Sequence, residues 1–310
     1  MLFLLVIVAV PSYIFFQYQK GLKQAGLSEV FSEDIEEFNG QKDDQGRINV
    51  LLLGIDARGE EQARTDTIMI AQYDPEKETA RTVSLMRDIY VDIPGNGSWK
   101  LNTAYFLGGA ELLRQTIKEN FDIEVQYYAL IDFKGFQEVV DVLAPEGIEM
   151  NVEKRMSEKI EVVLEPGTQK LNGEELLGYA RFRQDAEGDF GRVRRQQEVI
   201  NALKEELISI KGVAKLPQLV GSITPFIETN ISSMERVSLA KDFILNPVDE
   251  IESITIPIEG SYSNERYEDA GLVLDIEYEE NIAAIKAFLN GEDPNKIVAD
   301  TEKDDESMNQ

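Results

Sequence analysis

Neither cysteine nor histidine occurs anywhere in the 310 residues. Without cysteine there is no disulfide framework, no thiolate nucleophile and no sulfur-ligated zinc site. Without histidine there is no Ser-His-Asp triad, no imidazole base near neutral pH and no imidazole metal ligand. Positive charge is scarce as well, since 31 Lys and Arg face 58 Asp and Glu for a net charge of −27. A nucleic-acid duplex would repel such a field, so no nucleic-acid partner is expected. The chemistry left is that of carboxylates, arginine, lysine, tyrosine, hydroxyls and a hard metal held by oxygen. With 43% hydrophobic residues, the length suits one large domain or two small ones, and one is expected.

Residues 1–16 are almost wholly apolar and as a helix would span about 24 Å, a little short of the roughly 30 Å hydrocarbon core. An anchor, a signal-peptide apolar region and a buried core helix compete for this segment. No small-x-small cleavage site follows it, so residues 1–19 are expected to be an uncleaved, single-pass transmembrane anchor. Lys20 and Lys23 follow the segment and no basic residue precedes it, which by the positive-inside rule favours an inward-facing domain. A polar stalk is expected over 20–46, a catalytic domain over 47–294 and a disordered acidic tail over 295–310.

Within that domain, strand and helix signals alternate. Strands are predicted over 48–55, 67–73, 80–86, 125–131, 148–152 and 251–258, with helices over 101–120, 133–143, 173–179 and 193–210. A hairpin is predicted over 162–171 around Pro166-Gly167, and broken helices over 212–231. The pattern predicts an α/β fold, a sheet flanked by helices.

Five arginines fall within fifteen residues: Arg181, Arg183, Arg192, Arg194 and Arg195. A solvated, salt-bridged face is the bland explanation. Against it, Arg181 and Arg183 alternate across an aromatic, and Arg192 and Arg195 stand three apart on a predicted helix. Converging guanidinium forks bind phosphate oxygens bidentately, so the expected ligand is polyanionic. A second constellation places Asp56 at the end of a strand and Asp66 at the start of the next, a candidate Mg²⁺ or Mn²⁺ site, although either residue alone reads equally as a turn or cap. In a third, Arg87 and Asp88 end a further strand, and Lys100 and Asn102 stand at a helix entrance where free N–H groups attract anions. The bland reading of Arg87-Asp88 is a surface ion pair, worth about 0–1 kcal/mol. The apolar residues Phe106, Leu107, Phe133, Phe136, Val139 and Val142 suit a polyprenyl slot or, more ordinarily, a core.

Taken in order, Leu-Leu-Leu-Gly-Ile-Asp (51–56), Arg-Thr-Asp-Thr (64–67), Ser-Leu-Met-Arg-Asp (84–88), Lys-Leu-Asn-Thr-Ala-Tyr (100–105), Tyr-Ala-Arg-Phe-Arg (179–183) and Asp-Phe-Gly-Arg-Val-Arg-Arg-Gln-Gln (189–197) resemble the LytR-CpsA-Psr family. The resemblance runs from about residue 48 to residue 200. It implies a single three-layer α/β/α domain with a central mixed sheet, held extracytoplasmically by an N-terminal membrane segment. It further implies transfer of a glycopolymer, such as wall teichoic acid or capsule, from undecaprenyl pyrophosphate to peptidoglycan. Asp56 and Asp66 would hold Mg²⁺, and Arg64, Arg87, Arg181, Arg183, Arg192 and Gln196 the pyrophosphate, with Asp189 orienting the arginines or the metal. From the residue reading, Lys100 and Arg195 join the pyrophosphate set, while Arg87, Asp88 and Asp189 are the catalytic candidates. Where the family often shows Ser-Ile-Pro-Arg-Asp, this chain has Ser-Leu-Met-Arg-Asp, which changes the turn but keeps the Arg-Asp pair.

Charge neutralisation and positioning need no histidine, which agrees with the composition. Three rivals are a pyrophosphatase using water as acceptor, a non-catalytic lipid-pyrophosphate binder and a transcriptional regulator. The acidity and the lack of a basic recognition helix disfavour the last.

Overall fold

The computed structural model describes residues 2–24, 37–56, 64–209 and 216–294. They belong to two compact units, one formed by 36–128 with 249–310 and the other by 1–35 with 129–248.

In the first unit, β1 (Ile48–Ile55), β2 (Thr65–Asp74) and β3 (Thr79–Leu85) run antiparallel in sequence order, and β10 (Ile251–Ile256) joins β3 in parallel. The α/β class and a mixed sheet are therefore present as expected. Alternate residues of β1, among them Leu51 and Leu53, are buried together with Ile68 and Ile70 of β2 and Val83 and Leu85 of β3, the period-two pattern of a strand packed on one face. Asn49, the one polar residue inside the apolar run of β1, donates to the Glu124 carbonyl at 3.0 Å and accepts from Gln72 at 3.1 Å. Its burial thus leaves neither amide atom without a partner.

Helix α2 (Leu101–Phe121) packs on the sheet through Leu101, Ala104, Leu113, Ile117 and Phe121. It kinks at Gly108-Gly109, and Gly109 has φ 61 and ψ −158, a conformation open essentially to glycine alone. Five elements absent from the sequence prediction complete this unit: the hairpin β4 (Tyr90–Ile93) and β5 (Gly97–Lys100), the hairpin β11 (Tyr262–Tyr267) and β12 (Gly271–Ile276), and helix α8 (Tyr278–Asn290). Strand β4 is only four residues long, and β5 (Gly-Ser-Trp-Lys) and β11 (Tyr-Ser-Asn-Glu-Arg-Tyr) carry few apolar residues, so periodicity gave little signal there.

The second unit is mainly helical. It contains α1 (Leu2–Gln24), α3 (Phe133–Leu143), α4 (Gly173–Arg181), α5 (Gly188–Ser209), α6 (Leu216–Ile223) and α7 (Ser233–Leu245), and within it Ala129 and Leu130 of β6 (Tyr127–Asp132) pair antiparallel with β9 (Glu228–Thr229). Asn172 caps α4 and Ser232 caps α7, each through a capping box with the glutamate three residues on. The expected hairpin around Pro166-Gly167 is drawn differently. β8 (Gly167–Leu171) pairs with β7 (Ile148–Val152), and 162–165 contributes only the Leu164 bridge to Met156. Strand β7 offers five backbone partners over an alternating apolar face, which the short segment 162–165 does not. The core of this unit gathers Val140, Ile148, Met150, Leu171, Leu176 and Tyr179.

Helix α1 continues to Gln24, past the expected end of the anchor at 19, and its last turns lie against α6. A Cβ on Gly21 would stand 2.0 Å from the Gln218 carbonyl oxygen, and one on Gly221 would stand 2.2 Å from that of Tyr18. Only glycines permit this crossing. Among the described residues, no helix is long and apolar enough to cross a membrane. Of the expected stalk, 37–41 packs on the sheet unit, where Gln41 N donates to Val125 O at 3.0 Å and Phe38 lies on Tyr128. Residues 25–36 and the acidic tail 295–310 lie outside the described residues.

Candidate functional site

The antiparallel order of β1, β2 and β3 carries the end of β1, the start of β2 and the end of β3 to one end of the sheet. Asp56 follows the last paired residue of β1. On β2, Thr65 opposes Ile55 and Thr67 opposes Gly54, which leaves Asp66 as the extra residue of a β-bulge. A bulge turns its residue out of the regular alternation and is a common device for re-aiming a side chain beside a site. Arg87, just beyond β3, reaches the Asp66 carboxylate and forms an ion pair with it.

Asp88 is held by two cations, Lys100 Nζ at 2.7 Å and Arg87 Nε at 3.6 Å. Lys100 is the N-cap residue of α2, and the Asn102 N–H at that entrance donates to the Arg87 carbonyl at 3.2 Å. Arg64 precedes β2, and its guanidinium carbon lies 5.4 Å from the centre of the Phe106 ring on α2, a cation–π arrangement that steadies an otherwise exposed arginine. The sheet unit therefore collects Asp56, Arg64, Asp66, Arg87, Asp88 and Lys100 at one sheet end.

The arginine-rich stretch lies in the helical unit, and its members divide by partner. Asp189, in the first turn of α5, accepts from Arg192 Nη2 at 2.8 Å and stands 3.8 Å from Arg183 Nη1. Arg181 pairs with Glu161 at 2.7 Å and lies over Phe133 at 4.3 Å. Gln196 lies one turn after Arg192 on the same helix and is partly exposed.

Arg195, expected to pair with Arg192, is placed elsewhere. It is fully buried, ion-paired with Asp185, and donates to the Phe182 carbonyl at 3.2 Å. Burial acts to raise the Asp185 pKa, but the Lys154 and Arg195 hydrogen bonds outweigh it and hold the group down at about 2. Arg194 is engaged by Glu153, Glu187 and Glu198 at 2.8, 3.0 and 2.6 Å, and this network raises its pKa. The bland salt-bridge reading thus describes Arg194, and a structural ion pair describes Arg195. Phe106 and Phe133, expected in a polyprenyl slot or a core, lie under Arg64 and Arg181; the sequence reading missed that support and the partner Glu161, because no spacing ties them to their arginines. Phe136 and Val139 are part of the core packing.

The LytR_cpsA_psr family profile matches residues 13–282. The chain belongs to the LytR-CpsA-Psr family.

Family members with curated names include the regulatory protein MsrR of Staphylococcus aureus (strain COL), 44% identical over 278 residues that span 90% of this chain and 85% of MsrR. The polyisoprenyl-teichoic acid–peptidoglycan teichoic acid transferase TagT of Bacillus subtilis (strain 168) is 34% identical over 247 residues, 74% of this chain and 75% of TagT. Among solved family structures, Bacillus subtilis TagV superposes with a TM-score of 0.69 at 27% identity, covering 79% of this chain and 96% of that one. The LytR-CPS2A-psr family protein YwtF (TagT) with bound octaprenyl pyrophosphate lipid superposes with a TM-score of 0.60 at 29% identity, covering 85% and 96%.

The donor set at the sheet end suits a hard divalent cation. Asp56 and Asp66 offer carboxylate oxygens only, and Mg²⁺ is commonly bound by one or two carboxylates with substrate phosphates and water filling the octahedron. Among the described residues no cluster of three or more acidic ligands occurs.

Proposed function

We propose that the chain is a glycopolymer transferase of the cell envelope, moving a glycan such as wall teichoic acid or capsule from undecaprenyl pyrophosphate onto peptidoglycan. The observation that carries this reading is the sheet end itself, where three carboxylates, two arginines and Lys100 gather beside a bulge at Asp66. The names of TagT and of the octaprenyl pyrophosphate complex support the donor class. The apolar segment 1–19 supports a single-pass, membrane-tethered location, and a peptidoglycan acceptor requires the catalytic part to lie outside the cytoplasm.

An acceptor hydroxyl attacks the glycan-side phosphorus in line. The new oxygen–phosphorus bond forms as the bond to the bridging oxygen breaks, and that oxygen leaves on the lipid monophosphate. Arg87, Arg64 and Lys100 neutralise charge on the phosphate oxygens, and Arg181, Arg183 and Arg192 are assigned to the donor's phosphates. Asp56 and Asp66 would hold Mg²⁺ (or Mn²⁺), which when bound supplies further charge neutralisation on those oxygens. The hydroxyl proton passes to a carboxylate, for which Asp88 and Asp189 are the two candidates. The pH–rate profiles of Asp88→Asn and Asp189→Asn separate them, because losing the base abolishes the acidic limb of the profile whereas losing a positioning charge lowers the rate at every pH.

The test incubates the purified full chain with a synthetic polyprenyl-pyrophosphate glycan, a peptidoglycan fragment and Mg²⁺, and follows both products by mass spectrometry. Glycan on the fragment, lost in Arg87→Ala or with a chelator, is the expected result. Phosphate release without transfer would instead establish the pyrophosphatase. Tight lipid binding with no turnover would establish the non-catalytic binder.

A further inference from the structure

The sheet unit carries a second surface beside its phosphate-handling end. Leu274 of β12 bridges in parallel to Ile89, immediately before β4, and its N–H donates to the Asp88 carbonyl at 2.9 Å. The hairpin β11–β12 is thereby attached to the stretch that contains Arg87 and Asp88. Tyr90 opposes Lys100 in the β4–β5 ladder, and directly opposed residues share a face. Tyr90 and the Lys100 that holds Asp88 are thus neighbours on one face.

Tyr267, at the end of β11, stacks on Tyr90 with ring centroids 4.5 Å apart and planes 29° apart. Its hydroxyl donates to Asp275 at 2.7 Å. That hydrogen bond, followed by burial and the neighbouring Asp275, Glu265 and Tyr90, pushes the phenol pKa up to about 12, so the group stays neutral and the ring stays pinned. Tyr267 is nevertheless 37% exposed. One ring face is covered by Tyr90, and the ring is held at the surface by a carboxylate instead of turning inward to bury its area.

We propose that the Tyr90–Tyr267 stack, with Asp275, seats an uncharged saccharide ring of the acceptor glycan beside Lys100. A pyranose presents one face of C–H bonds, which pack against the negative face of an aromatic ring, and a rim of hydroxyls, which donate to carboxylates in strong charge-assisted hydrogen bonds. This surface supplies both. Charge decides which glycan. From 262 to 276 the hairpin carries Glu265, Glu268, Asp269 and Asp275 against Arg266 alone, a field that repels a phosphate-rich donor polymer and tolerates a neutral amino-sugar strand. The word acceptor rests on the transferase reading; the saccharide seat itself does not.

The test uses the full chain and a neutral β-1,4-linked N-acetylglucosamine tetramer, first by calorimetry without any donor. The wild type is expected to bind, Tyr267→Ala to bind about tenfold more weakly, Tyr267→Phe to retain most of the affinity, and Leu272→Ala, an exposed residue of the same hairpin, to be unchanged. In the transfer assay Tyr267→Ala is expected to raise the acceptor KM about tenfold while leaving the donor KM and the kcat at saturating acceptor unaltered. Equal saccharide affinity in wild type and Tyr267→Ala, no saccharide binding by the wild type, or a rise in donor KM instead would each overturn the proposal. Tyr267-dependent saccharide binding in a chain that transfers nothing would leave the seat standing and remove the transferase reading alone.

Discussion

Asp189 accepts a hydrogen bond from Arg192 at 2.8 Å across one turn of α5, and the same carboxylate lies 3.8 Å from the more exposed Arg183. A single acid at the start of a helix thus sets the direction of one guanidinium and lies within ion-pair reach of a second, which is the preorganisation that phosphate recognition needs.

Asp189→Asn keeps the size and one acceptor oxygen but removes the charge that holds both arginines. Donor turnover is expected to fall roughly tenfold or more, while the unfolding midpoint stays near that of the wild type. Single-turnover kinetics beside a thermal melt separate the two. A melt that collapses together with the rate would assign Asp189 to structure.

Asp66→Asn removes a carboxylate both from the candidate cation pair and from the Arg87 ion pair. Mn²⁺ affinity, read by paramagnetic resonance without substrate, is expected to drop about tenfold or more. Arg87→Lys is expected to leave Mn²⁺ binding close to normal while cutting transfer, because lysine keeps the charge and loses the planar fork. Unchanged Mn²⁺ affinity in Asp66→Asn would remove Asp66 from the metal site.

Asp185 makes a pH-dependent contribution to folding whose sign is set by its depressed pKa. Its ordinary value is 3.8 and its folded value about 2, so the stability it supplies is complete above about pH 5 and is lost as pH falls through that window. The difference is about 2 kcal/mol. Asp185→Asn leaves the buried Arg195 charge without its carboxylate and is expected to cost about 3 kcal/mol at pH 7. Urea unfolding of both proteins from pH 7 to pH 2.5 should show the gap narrowing only below about pH 5.

Gly221→Leu forces a side chain into the crossing of α1 and α6, where a Cβ already meets the Tyr18 carbonyl oxygen at 2.2 Å. The helices are expected to separate, with a loss of roughly 1–3 kcal/mol and faster proteolysis within residues 12–24. An unchanged cleavage rate would mean that α1 does not hold its place through this contact.

Much of the candidate site was legible in the sequence because its residues sit at the ends of strongly patterned strands. The apolar runs of β1, β2 and β3 showed where each strand began or stopped, and Asp56 and Arg87 stand just past the ends of β1 and β3 while Asp66 stands at the start of β2. The hairpin with Tyr267 was not legible, since β11 reads Tyr-Ser-Asn-Glu-Arg-Tyr and offers no alternating apolar face. Nor could spacing sort the five arginines, because residues three apart on a helix share a face whether that face meets solvent, a carboxylate or the core.

By itself the sequence determined the α/β class, the exclusion of thiol and imidazole chemistry, and the gathering of acids and arginines at strand ends. These depend on residue identity and local periodicity. Only the tertiary structure decided that Asp66 occupies a bulge, that Arg195 is a buried structural cation while Arg192 answers to Asp189, and that Tyr267 lies on Tyr90. Each of these depends on which residues far apart in the chain become neighbours, a matter of strand register and side-chain burial that no local pattern encodes.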